Sequence, residues 1–209
     1  MLVGVDLDNT IIKYDGLFRR LAAEQGWVGD DGRLSKKGVR DAMWAREGGH
    51  QAWTDLQALV YGPRIVEAQP FPGALAFFER CGALGVRVCI VSHKSEYAAS
   101  DRAREHNLRD KGLEWLDRHG FFGPGSPLAP EAVHFAGTRQ EKVAIIARLG
   151  CTLFIDDLIE VFEEPGYPES AQKVLFAPSA TAAPEGFDGE LCTHWDRMTA
   201  RLEALHAAR

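Results

Sequence analysis

Residues 2–10 read LVGVDLDNT: an apolar run closed by two aspartates with one residue between them, then a polar turn. An apolar run this short, followed directly by turn residues, predicts a strand buried on both faces of a parallel sheet. Asp6 and Asp8 then stand at its carboxyl end, where open α/β sheets hold their ligands. Side chains two apart on extended backbone point the same way, so both carboxylates face one crevice. Carboxylates that close repel unless a cation lies between them or one keeps a proton. Read alone, the motif is equally a polar turn capping the next segment, so the rest of the chain must decide.

Working outward, residues 86–91 predict a second buried strand, followed by the polar run Ser92-His93-Lys94. Residues 133–136 predict a short third strand. Thr138 then caps a helix reaching residue 149, with Glu141 placed to complete a capping box. Residues 152–155 predict a strand ending in Asp156-Asp157, residues 174–176 a last short strand, and residues 194–206 a closing amphipathic helix. Pro70-Phe71-Pro72-Gly73 is the clearest punctuation, with Pro72 as first residue of a helix to residue 84. Residues 95–120 read as largely helical, and residues 177–189 as an exposed connection. Strands alternating with helices favour a Rossmann-like, doubly wound parallel sheet.

Between the first two strands the rhythm breaks. Asp15 and Ser35 are placed to cap two helices, a third covers residues 52–60, and no strand pattern interrupts them. The predicted organisation is therefore an α/β core of residues 1–14 and 70–209, with a small α-helical cap, residues 15–69, inserted after the first strand.

Bulk properties narrow the function. The 209 residues are 45% hydrophobic and 26% charged, as in ordinary globular proteins. A net charge of -6 argues against a nucleic-acid surface, which needs clustered Lys and Arg. The four cysteines have neither CxxC pairing nor zinc-ligand spacing and read as reduced, buried thiols. With no basic leader and no apolar span of membrane length, a cytoplasmic location is expected, without membrane partners.

Four segments occur in order: VGVDLDNT, CIVSHK, TRQEKVAII and LFIDDL. Singly, Ser92 reads as a turn cap, Lys142 as a solvated helix residue and Asp156-Asp157 as a helix cap. Together, at or near strand ends, they resemble the haloacid dehalogenase-like (HAD) superfamily of hydrolases, and the elements carrying the match cover about two thirds of the chain. The resemblance implies that Asp6 is a nucleophile forming an aspartyl phosphate, and that Asp8 is the general acid and base. It implies Mg²⁺ as cofactor, held by Asp6, the Asp8 carbonyl and Asp156, with Asp157 beside it. Thr10, Ser92, His93 and Lys142 fall to phosphate binding. A carboxylate at Asp8 favours phosphate esters over halides, since a halide leaves without a proton.

The substrate is then a small phosphorylated metabolite, a sugar phosphate or a nucleoside monophosphate, chosen through the cap. His50, Trp53, Tyr61, Arg46 and Arg64 are candidates to meet it, and Lys94 is a further one fixed by its place after Ser92. The same cap residues equally suit packing and solvation. Lys36 and Lys37 adjoin a helix cap and read as solvated surface. Two rivals stay open: a phosphotransferase on the same fold, and a binding or regulatory domain without turnover. Oligomeric state is not legible.

Overall fold

The computed structural model describes residues 1–29 and 32–207. Six strands, β1 (Leu2–Val5), β4 (Arg87–His93), β5 (Val133–Ala136), β6 (Leu153–Asp156), β7 (Gln172–Phe176) and β8 (Glu190–Cys192), form the main sheet. It is parallel throughout and has the order β5-β4-β1-β6-β7-β8. The chain winds from β1 through β4 to β5 on one side, then returns to β6 and continues outward on the other. The winding therefore reverses between β1 and β6, and such a switch point opens a crevice at the strand carboxyl ends.

Alternation along the strands divides the core. Leu2, Cys89, Val91 and Phe154 pack with Val143 and Ile146 of α6 (Arg139–Leu149) and with Val161 and Phe162 of α7 (Ile159–Phe162). Gly4 lies beneath that face because nothing larger fits: a Cβ there would come within 2.5 Å of the Phe154 ring. Elsewhere in the core, Phe77 of α4 (Ala74–Ala83) meets Trp195 of α8 (Trp195–Ala207) at a ring separation of 5.1 Å, and Phe176 meets the same indole at 5.4 Å.

The chain folds as two compact units, one of Met1–Ile11, Pro70–Lys94 and Leu116–Arg209, the other of Ile12–Gln69 and Ser95–Trp115. The second unit is built on α1 (Asp15–Glu24), α2 (Lys36–Trp44) and α3 (Gly49–Tyr61), and it also takes in residues 95–115, which the sequence reading placed with the core. Phe18 stacks on Trp53 at 5.0 Å, and Tyr61 meets Tyr14 and Phe18 edge-on. The indole of Trp115 donates to the Ala68 carbonyl, and Ser100 Oγ to that of Thr54.

Several elements differ from expectation for local reasons. Residues 95–107 do not form the expected helix, because Asp101 accepts bonds from the amides of Glu105 and His106, closing a turn that competes with one. A helix, α5 (Leu108–Arg118), starts only after Asn107, whose side chain accepts from the amides of Arg109 and Asp110. The cap of α4 is Gly73, at φ 84°, so Pro72 precedes the helix instead of starting it. Tyr14 rather than Asp15 precedes α1, and Asp15 accepts from the Lys36 amide. Ser35 caps α2 as expected, accepting from Gly38 N. Short strands β2 (Ile12–Lys13) and β3 (Gln69–Pro70), which form a two-stranded sheet, and the three-residue edge strand β8 carry too few residues for a periodic signal.

Candidate active site

The first motif is locked by its own backbone. Asp6 N continues the β1/β6 ladder by donating to the Ile155 carbonyl at 2.9 Å, and Asn9 takes a left-handed φ of 63°, a conformation asparagine tolerates better than most residues. The turn brings Thr10 back so that its hydroxyl donates to Asp6 Oδ2 at 3.2 Å. Trp195 fixes the loop from outside, its indole donating to the Thr10 carbonyl at 3.2 Å. That anchor was not singled out from sequence, where Trp195 reads only as one more apolar residue of the closing helix.

Lys142 enters from α6. Thr138 Oγ1 accepts from the Glu141 amide, while the Glu141 carboxylate reaches back to the Gly137 amide at 2.7 Å, one residue earlier than a capping box requires. This sets the first turn of α6 so that Lys142 is buried, with its ammonium 2.6 Å from Asp6 Oδ1 and 2.7 Å from Asp156 Oδ2. The Asp156 contact is a charge contact outside hydrogen-bond angles; the other oxygen, Oδ1, accepts from the Leu158 amide at 3.0 Å. Burial pushes the Asp6 carboxyl up to about 7; the Lys142 charge pulls against this and the Asp156 charge adds to it. Desolvation alone would lower Lys142, but the charges of Asp156 and Asp6 outweigh it and hold the ammonium above its ordinary value.

Ser92 is not after β4 but inside it, paired with Phe135 of β5. It is fully buried, and its hydroxyl has no hydrogen-bond partner among the described residues. Such an orphan is expensive in a finished core and marks a donor held ready for something else. His93 turns to the Gly137 carbonyl, donating through Nε2 at 3.1 Å. Lys94, 3% exposed, places its ammonium 2.9 and 2.7 Å from the two oxygens of Asp8.

Each of Asp6, Asp156 and Asp157 offers an oxygen within 4.8 Å of the others. These are hard donors, the class that Mg²⁺ prefers, and ligands on opposite sides of that ion lie about 4 Å apart. The residues present fit a metal.

The candidates of the helical unit have partners within that unit. Arg46 donates to the carbonyls of Gly26 and Trp27 and lies over the Trp27 ring, and Arg64 pairs with Glu67. Trp53 is buried against Phe18, and His50 stacks on Trp44. Lys36 lies over the rings of Phe18 and Tyr61.

No protein-family model and no curated protein matches the sequence, so the likeness to known proteins is one of structure. A HAD family hydrolase from Deinococcus radiodurans R1, solved with bound phosphate and sodium, superposes with a TM-score of 0.56 at 16% identity, covering 99% of this chain and 96% of its own. A haloacid dehalogenase-like family hydrolase from Xanthomonas campestris gives 0.52 at 13% identity, covering 100% and 96%. The HAD-hydrolase YfnB from Bacillus subtilis, solved bound to magnesium, gives 0.54 at 12% identity, covering 96% and 97%. The fold is that of the HAD-like hydrolases. Among the described residues no helix is long and apolar enough to cross a membrane.

Proposed function

We propose that the chain hydrolyses a small-molecule phosphate monoester, with Mg²⁺ as cofactor and an aspartyl phosphate on Asp6 as intermediate. One observation carries the reading: Asp6, Lys142 and Asp156, up to 150 positions apart in sequence, meet within hydrogen-bond distance at the switch point of the sheet. Lys142 is shared between two buried carboxylates, and the buried Ser92 hydroxyl has no hydrogen-bond partner among the described residues. Phosphate and magnesium in two neighbours of the same fold agree with that chemistry.

In this reading Asp6 attacks phosphorus in line with the leaving oxygen, forming its Oδ–P bond as the ester P–O bond breaks. Asp8, two residues on along the same loop, gives its proton to the leaving oxygen. It then takes a proton from the water that releases phosphate. Ser92 and Lys142 bind the phosphoryl oxygens, and Lys142 also offsets charge on the phosphorylated Asp6. Asp6, Asp156 and Asp157 hold the metal, whose contribution is to neutralise the repulsion between carboxylate and phosphate. A sugar phosphate or nucleoside monophosphate suits the site.

A phosphate-release screen over such esters, with Mg²⁺ and then with a chelator, tests the proposal. Release is expected to require the metal, and Asp6→Asn is expected to lower kcat by about 10⁴-fold or more with the fold retained by circular dichroism. Full activity in Asp6→Asn, or no release from any ester, rejects the reading.

A further inference from the structure

We propose that Lys94 is a positioning residue for Asp8, the group that fixes the acid and base carboxylate against the leaving oxygen. The inference rests on the phosphohydrolase reading and deepens it. Lysine is seldom buried, and only 3% of Lys94 is exposed. Its ammonium donates to both oxygens of Asp8, at 2.9 and 2.7 Å, so the ionised carboxylate is held at two points; once one oxygen takes a proton, the other still accepts from the same ammonium.

The lysine is itself rigidly mounted. Its amide donates to the Ala136 carbonyl at 3.1 Å, carrying the β4/β5 ladder one step past the His93↔Ala136 pair. Orientation thus passes from paired backbone to ammonium to carboxylate. Asp8 is also less enclosed than Asp6, its side chain being 21% exposed against 6%, so burial alone does less to fix it. A proton donor displaced by an ångström loses much of its advantage. The same placement ties recognition to catalysis, since Ser92 and Lys94 leave one strand end, one toward the phosphoryl group and the other toward the group that serves the leaving oxygen.

The test exploits how far different esters need a proton on departure. p-Nitrophenolate leaves without one, whereas an alkoxide does not. With Lys94→Met, kcat/KM, which reports formation of the aspartyl phosphate, is expected to fall about 100-fold on the alkyl phosphate that the unaltered chain hydrolyses fastest and less than about threefold on p-nitrophenyl phosphate, while kcat, which includes hydrolysis of the intermediate with Asp8 as base, falls on both. Asp8→Asn should show the same split, and the double variant should lose no more than Asp8→Asn alone, because the two residues act as one unit. Lys94→Gln, which keeps neutral N–H donors on a shorter side chain, should fall between Lys94→Met and the unaltered chain. Equal losses of kcat/KM on both esters, a rise in KM alone, or multiplicative losses in the double variant overturn the assignment while leaving phosphatase activity in place. Absence of hydrolysis by the unaltered chain overturns both readings.

Discussion

The carboxyl end of the sheet and the helical unit are built from the same kinds of side chain, and they use them differently. In the helical unit Glu67 is shared by Arg64 and Arg20, Arg46 is spent on two carbonyls, and Trp53 is enclosed by Phe18. Glu67 is held down at about 2, first by its bond from Arg64 and then by that from Arg20. At the sheet end, Asp6 and Asp156 share the single ammonium of Lys142, Asp6 is pushed upward by burial, and the Ser92 hydroxyl has no partner among the described residues. Residue type does not separate structure from chemistry; unspent bonding capacity does.

The sharpest break in that contrast comes from Lys142→Met. It leaves two buried carboxylates without their cation, so it is expected to abolish most turnover and to destabilise the metal-free chain by about 3–5 kcal/mol, read by thermal unfolding. Added Mg²⁺ should restore part of that stability, since any ligand bound only by the folded state raises it. A variant as stable as the parent without metal would mean that Lys142 does not offset the charge of the two carboxylates.

Trp53→Ala probes the other side. Removing a buried indole should cost about 3–5 kcal/mol, yet the rise in Tm on adding Mg²⁺ should persist, because the proposed ligands Asp6, Asp156 and Asp157 belong to the sheet unit. Loss of that rise would place Trp53 in the metal site's support and erase the distinction.

The smallest effect on stability belongs to Ser92→Ala. A hydroxyl without a partner contributes no bond to lose, so unfolding should shift by less than about 1 kcal/mol, whereas inhibition by inorganic phosphate should weaken about tenfold, the worth of one hydrogen bond to a charged group. A marked drop in stability would reveal a hidden structural role.

What could be read from sequence followed the same divide. The strand before Asp6, the strand carrying Ser92 and the one ending in Asp156 announce themselves because strands buried on both faces need unbroken apolar runs. Thr138 and Ser35 were legible as caps because capping is local, within three residues. Residues 95–107 misled because an apolar-polar pattern says nothing of Asp101 closing a turn with its own side chain. Lys94 stood out only as a neighbour of Ser92; that it would reach back 86 positions to Asp8 is a property of the sheet order. In the helical unit, aromatic and cationic residues suit packing and recognition equally, so composition could not choose between them.

The central place of β1 has a bearing on how the chain comes to be made. Leu2–Val5 emerges before the other strands of its sheet, and its ladder partners are Arg87–Ile90 and Leu153–Ile155. At about 5–20 residues per second, an all-apolar segment waits several seconds for its first neighbour and longer for its second. Such long-range pairing folds slowly and leaves bare strand edges open to other chains meanwhile. Asp6 and Asp8 then set two side-chain charges directly against this apolar segment and help keep it in solution on the ribosome, a service independent of any metal.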